Sequence, residues 1–153
     1  MTLRTATSAP RRRYSSDQSG SASVELALLV PALVIMLGLL VGGGRLWLAR
    51  TAVNEAAQSA ARSASLARTA QQAVADGRAA GRESLSTTGL SCHDQSIAID
   101  TGAFGIAVGQ PATITSDVGC TVPFEDVFLP GMPGSIKVAA KGFSALDTYR
   151  SRR

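Results

Sequence analysis

The sequence predicts an α+β protein: an N-terminal membrane helix continues into a long alanine-rich helix, and a small antiparallel β-sheet with one disulfide follows. Three observations predict this fold. An uncharged apolar run extends from Leu26 to Gly44. An alanine-rich stretch without proline follows it, to about Ser84. The remainder holds short runs with β-branched apolar residues, turn signals and two cysteines.

The composition changes along the chain divide it into five expected segments. The first is rich in Ser, Thr and Arg and has no apolar period, which is typical of disorder. The others are a transmembrane helix, an extracytoplasmic helix, a small β-rich domain tied by a disulfide, and a tail. The expected bounds are 1–20, 21–45, 46–88, 89–149 and 150–153.

The apolar run is the expected membrane helix. Its 19 residues, from Leu26 to Gly44, approach the roughly 20 that cross a bilayer. A cleaved secretory signal is the alternative, but its apolar core would span only about 7–15 residues. A retained anchor is therefore favoured. Gly38 and Gly42 form a G-x-x-x-G pair, which either packs against another helix or reflects the abundance of glycine in membrane helices.

Charge and cysteines predict the orientation. Arg4 and the arginines at 11–13 precede the apolar run and favour a cytoplasmic N-terminus, although Arg45 and Arg50 flank the other end. Cys92 and Cys120 both follow the run, in a region with few large apolar residues. Such a pair fits a disulfide in an oxidising compartment. We therefore expect the C-terminal region to be extracytoplasmic.

The region after the membrane helix predicts one helix and three strands. Thr87-Thr88-Gly89 predicts the end of the helix. The helix carries a narrow stripe of small residues, which suits close contact with a neighbour: Val53, Ala56, Ala57, Ala60, Ala64 and Ala67. The expected strands are Ser96 to Thr101, Ala112 to Val122 and Ser135 to Ala145. A small antiparallel sheet against the helix end is the economical arrangement.

The start of the membrane helix resembles a known signal. Residues 20–25 read G-S-A-S-V-E and lead into the apolar run. This resembles the class III signal of type IV pilin-like proteins, which a prepilin peptidase cuts after the glycine. The stretch from Gly20 to Arg62 is similar to the TadE-like family, the minor pseudopilins of tight-adherence (Tad/Flp) pili. The matching positions are Gly20, Val24-Glu25, Ala27, Pro31, Gly44-Arg45 and Ala60 to Arg62.

The resemblance implies a processing site and an assembly residue. Cleavage would fall between Gly20 and Ser21, although Leu26 stands where Flp-type signals usually have tyrosine. The α-amine of Ser21 in one subunit would then pair with Glu25 of its neighbour. A Glu25 that merely reaches water at headgroup level is the alternative. The implied partners are the prepilin peptidase, the major pilin, a sister minor pseudopilin, the membrane platform, a cytoplasmic ATPase and the lipid bilayer.

Other chemistries find little support in the residues. Cys92 and His93 lack the paired spacing of zinc ligands, and adjacent strand residues point to opposite faces. Acidic residues are interleaved with the arginines of the long helix, which is typical of a solvated face rather than a nucleic-acid site. We predict no enzyme, metal, cofactor or small-molecule ligand. The alternative function is an unprocessed single-pass, membrane-tethered extracellular binding module, which the mature N-terminus would distinguish.

Overall fold

The computed structural model describes residues 19–89, 91–127, 131 and 133–149, with side chains from residue 24 onward. The predicted tail, 150–153, and nearly all of the predicted leader lie outside this range. The chain divides into two compact units, Met1–Met36 and Leu37–Arg153. The elements described below are those of an α+β protein, as the sequence predicts.

Helix α1 spans Ser19–Leu66 and contains Pro31. Its first part holds the predicted apolar run. The most apolar window of 18 residues has a mean hydropathy of 2.7, and none of that window is buried. By length and composition α1 can cross a membrane, and among the described residues it is the one helix that can.

The predicted uninterrupted helix to residue 88 is wrong. Helix α1 ends at Leu66, and helix α2 spans Ala70–Thr87. Thr69 caps α2, because its hydroxyl accepts a hydrogen bond from the backbone N–H of Gln72 at 3.2 Å. The chain turns so that α2 contacts α1, and Ser63 Oγ donates to the carbonyl of Asp76 at 3.3 Å. Tertiary contact between the helices outweighs the helix propensity of the connecting residues.

Glycines make this contact close. A Cβ atom on Gly77 would lie 3.0 Å from the carbonyl oxygen of Ala60 and 2.9 Å from Ile99 Cδ1. A Cβ atom on Gly81 would lie 3.0 Å from Ile97 Cδ1. These glycines therefore let α2 approach both α1 and the sheet. The predicted helix end is confirmed: α2 stops at Thr87 and the next residues form a turn.

The three strands form one antiparallel sheet in the order β1-β2-β3. Their bounds are Gln95–Asp100, Ala112–Pro123 and Ser135–Leu146, within one residue of the predicted bounds. A short helix, α3, spans Phe124–Val127 after β2. The predicted disulfide is confirmed: it joins Cys92 to Cys120, whose Cα atoms are 5.4 Å apart. It links the segment before β1 to the middle strand.

The core lies between α1, α2 and one face of the sheet. Every residue of the predicted small-residue stripe is buried, and all but Ala67, which follows the end of α1, lie on α1. Strand β2 supplies the facing side chains, because alternate residues of a strand point to the same face. They are Ala112, Ile114, Ser116, Val118, Cys120 and Val122. The stripe thus serves the close contact that its small side chains predict.

The closest approach of α1 to the sheet is at Ala57. Ser116 and Gly142 are opposite each other on β2 and β3. Ser116 Oγ donates a hydrogen bond of 2.6 Å to the Ala57 carbonyl, and Ser116 is fully buried. A Cβ atom on Gly142 would collide with that same carbonyl. A small polar residue and a glycine together accommodate the helix backbone.

Candidate functional site

The predicted processing junction lies in the first turn of α1. The helix begins at Ser19, so Gly20 and Ser21 follow immediately, and only their backbone is described. The first four N–H groups of a helix have no partner within the helix. This turn is therefore held by fewer hydrogen bonds than the interior of α1.

Glu25 is the one charged residue from Ser19 to Gly44. It is exposed, and its neighbours Val24 and Leu26 are each 63% exposed. Among the described residues its carboxylate has no hydrogen bond or ion pair. In lipid, such a carboxylate either pairs with a positive group or reaches water at the headgroup level.

The apolar part of α1 presents large side chains on its whole circumference. Thirteen residues from Val24 to Val41 count among the exposed large hydrophobics. They include six leucines beyond Leu26 and the run Val34-Ile35-Met36. An exposed apolar surface of this length suits hydrocarbon or neighbouring helices.

The predicted G-x-x-x-G pair stays a prediction. A Cβ atom added to Gly38 would meet nothing within 4 Å. The surface at Gly38 is therefore open in a single chain, whereas Gly42 is buried. Of the two glycines, Gly38 is the one that a second helix could approach.

The residue that follows the apolar run makes a contact that the sequence did not indicate. Arg45 Nη1 donates a hydrogen bond of 2.9 Å to the backbone carbonyl of Asp126, in α3. The two residues are 81 positions apart, and a carbonyl acceptor leaves no side-chain signal. This hydrogen bond thus connects α3 to α1 next to the end of the apolar run.

In the part of the chain that the structure describes, open grooves lie on α1 beyond the apolar run, and two of them are lined by its charged residues. One has a volume of about 580 Å³ and is lined by Arg45 together with the acidic residues Glu55, Glu125 and Asp126. The other has a volume of about 570 Å³ and is lined by Trp47, Arg50, Asn54 and Lys137. The described residues contain no group of three or more His, Cys, Asp or Glu side chains that could hold a metal.

A comparison with protein-family models matches residues 20–62 to the TadE-like protein family. The match confirms the resemblance and covers the same residues from which it was inferred. It includes the predicted processing junction, Glu25, the apolar run and most of the small-residue stripe. Searches of the curated proteins and of the solved structures found no match.

Proposed function

We propose that this chain is a minor pseudopilin of a Tad/Flp pilus, a membrane-anchored structural subunit that primes pilus assembly. The TadE-like match over residues 20–62 carries the proposal and indicates a protein related to the Tad pilus. The single apolar helix fits a single-pass membrane protein of that system. The subunit would act with the major pilin, a sister minor pseudopilin, the membrane platform and the cytoplasmic ATPase.

The proposed mechanism needs processing by a prepilin peptidase between Gly20 and Ser21. Cleavage removes the basic residues at 11–13 and leaves Ser21 with a free α-amine. Glu25 then lies four residues from a positive charge on its own chain and can pair with the amine of a neighbouring subunit. In a low-dielectric surrounding an unpaired charge is costly and a paired one is much less so. That difference selects the correct axial position of each incoming subunit.

The proposed orientation places the second unit outside the cytoplasm. The Cys92–Cys120 disulfide supports it, because structural disulfides persist in oxidising compartments. The four arginines of the leader support it as well, by the positive-inside rule.

The mature N-terminus tests the proposal directly. The full chain is expressed with its own peptidase, and the N-terminus of the membrane-bound protein is sequenced. We expect it to begin at Ser21. A Gly20→Val variant should keep the leader, because the peptidase must approach this backbone closely. Gly43→Ala, at an exposed position of the same helix with nothing within 4 Å, is the control and should be cleaved normally.

Retention of the arginines at 11–13 in the mature wild-type protein would contradict the pseudopilin mechanism. That result would favour the unprocessed, membrane-tethered extracellular binding module. Both outcomes leave the apolar helix as the membrane anchor. The experiment therefore distinguishes the two functions and does not test the localisation.

A further inference from the structure

The exposed large apolar side chains of the second unit come from few parts of the chain. Beyond Leu48, the described residues include five such side chains that are at least 40% exposed. They are Leu66, Ile106, Val108, Phe143 and Tyr149. All five belong to three stretches: the end of α1, the loop between β1 and β2, and the last part of β3 with the turn after it.

Hydrogen bonds show that these three stretches meet at one end of the unit. Ser144 Oγ on β3 donates to Ser65 Oγ near the end of α1 at 2.9 Å. The backbone N–H of Gly109 donates to the carbonyl of Thr148 at 2.9 Å, so the loop before β2 lies beside the turn after β3. This end of the unit is called here the distal end. From Arg45 to the last residue of α1 there are 21 residues, or about 31 Å at 1.5 Å per residue.

The distal end is basic as well as apolar. Arg68 is exposed just after α1, and three of the four residues at 150–153, which follow Tyr149, are arginines. The acidic residues nearby are Asp100 and Asp147, whose carboxylates accept backbone N–H groups of their own turns at 2.9 and 3.0 Å. Four arginines thus outnumber two carboxylates. An apolar surface with this charge suits a partner that is apolar and acidic.

The opposite end of the same unit has that complementary character. The groove around Arg45, called here the acidic groove, is lined by the carboxylate residues Glu55, Glu125 and Asp126 and by Leu48, which is 60% exposed. Arg45 donates its hydrogen bond to a backbone carbonyl and not to a carboxylate. Asp126 Oδ2 is buried without a hydrogen-bond partner, and none of the three carboxylates has an ion pair among the described residues. The acidic groove therefore has an excess of negative charge and a carboxylate oxygen that lacks a donor.

We propose that the distal end of one copy of this chain docks into the acidic groove of a second copy. A chain cannot bring its own distal end into its own groove, because α1 holds the two apart. The arginines at 150–153 of one copy contact the carboxylates of the other, and Val108 and Tyr149 cover Leu48. A contact between two different surfaces can repeat from copy to copy and so extends a stack.

The proposed function sets a condition on this contact. The acidic groove begins at the first residue after the apolar run, whereas the distal end lies about 31 Å further along α1. Two copies anchored at the same depth in a membrane therefore hold the two surfaces at different heights. They can dock only after one copy is raised relative to the other, as on extraction into a pilus. This condition rests on the proposed function, and the complementarity of the two surfaces does not.

Photocrosslinking between two full-length copies with different epitope tags tests the docking. One copy carries a photoreactive amino acid in place of Val108, and both copies are expressed in cells that assemble pili. We expect a crosslinked pair in which mass spectrometry locates the adduct within residues 45–55 or 122–127 of the second copy. Removal of the pilus ATPase should abolish the crosslink, because both copies then stay in the membrane.

Charge reversal at an exposed position of the acidic groove provides matched variants. Glu125→Lys in the second copy should lower the crosslink yield about tenfold, because a like charge then faces the arginines at 150–153. Arg152→Glu in the first copy should restore the yield with Glu125→Lys, because opposite charges face each other again. Glu83→Lys, the same reversal at an exposed position of α2, is the control and should leave the yield unchanged.

An adduct on the distal end of the second copy, on a different protein only, or on no protein would overturn the inference. A yield that Glu125→Lys leaves unchanged would overturn it too, and a full yield without the ATPase would contradict the height condition. Failure of the proposed function would look different. Pili would then form in normal number in cells that lack this chain, and the crosslink between the tagged copies would still decide whether the two surfaces meet.

Discussion

The two halves of α1 contain apolar residues for opposite reasons. From Val24 to Val41 the large apolar side chains are between 50% and 73% exposed. From Ala49 to Ala64 the apolar residues are small, and those that form the core are at most 6% exposed. One continuous helix therefore exposes its large apolar side chains in one half and buries its small apolar side chains in the other.

The difference follows from what each half contacts. Alanine buries little area per residue, but it allows a sheet to approach the helix backbone at Ala57. Large side chains would prevent that approach, yet they provide the apolar area that transfer into hydrocarbon requires. Side-chain size, and not hydropathy alone, separates a helix face that packs against protein from one that faces lipid.

The largest expected effect belongs to the apolar half. Glu25→Gln removes the charge and keeps the side-chain volume, so membrane insertion should persist or improve. Pilus assembly should be lost, because the attraction to a neighbouring amine is absent. Pili are counted by electron microscopy, and the amount of subunit in the membrane is measured by immunoblot.

The other half of α1 provides the control for this prediction. Glu55→Gln is the same chemical change at an exposed position of the second unit, and it should leave pili in normal number. Normal pili with Glu25→Gln would contradict the pairing role.

Removal of the disulfide should affect the second unit alone. A bridge with a sequence separation of 28 stabilises by about 3–4 kcal/mol through chain entropy, comparable to the stability of a small domain. Cys92→Ser should make the region beyond residue 90 protease-sensitive while α1 stays inserted. Cys92→Ser with Cys120→Ser should be no worse than either alone, because one bond is removed.

Proteolysis of membranes, followed by mass spectrometry of the fragments, measures both the protease sensitivity of the region beyond residue 90 and the continued insertion of α1. Reduction of the wild-type protein should reproduce the protease sensitivity of the double variant, and the double variant should not respond to reductant. Two free thiols in protein taken from the membrane would contradict the extracytoplasmic orientation.

The third prediction places bulk where the alanine-rich half meets the sheet. Gly142→Val introduces a side chain against the Ala57 carbonyl, so β3 or α1 must shift. We expect the free energy of unfolding to fall by about 2–3 kcal/mol, the upper part of the range for overpacking. Chemical denaturation in detergent measures it.

A neighbouring residue gives the matched control. Ala139→Val introduces the same side chain on the exposed face of the same strand and should change stability by less than about 0.5 kcal/mol. A similar loss in both variants would mean that strand propensity, and not the contact with Ala57, determines the effect.

The elements that were predicted correctly have local signals. Ile97, Ile99 and Ile114 alternate with small or polar residues, and turn residues separate the strands, so each strand was predicted within one residue. The small-residue stripe on α1 has the period of a helix face, and that period predicts burial without any knowledge of the partner.

The features that were missed depend on distant residues. The break before Thr69 has no proline or glycine, and it forms because α2 gains contact with α1 and the sheet. From the sequence alone, Gly77 and Gly81 only weaken a helix, because the residues that approach them are far away in the sequence. The Arg45 contact has a backbone carbonyl as its acceptor, and such an acceptor leaves no pattern in the sequence.

The smallest expected effect comes from the loss of a single hydrogen bond where α1 meets the sheet at Ala57. Ser116→Ala removes the donor to the Ala57 carbonyl, which is also a helix carbonyl with its own acceptor role. The loss should therefore be only about 1 kcal/mol of unfolding free energy, the typical net value of an intramolecular hydrogen bond. Ser96→Ala, the same change on an exposed position of β1, is the control and should be neutral within about 0.5 kcal/mol. If Ser116→Ala is as neutral as its control, close contact of small residues alone holds α1 on the sheet, and the polar group at Ser116 contributes nothing to that half of the helix.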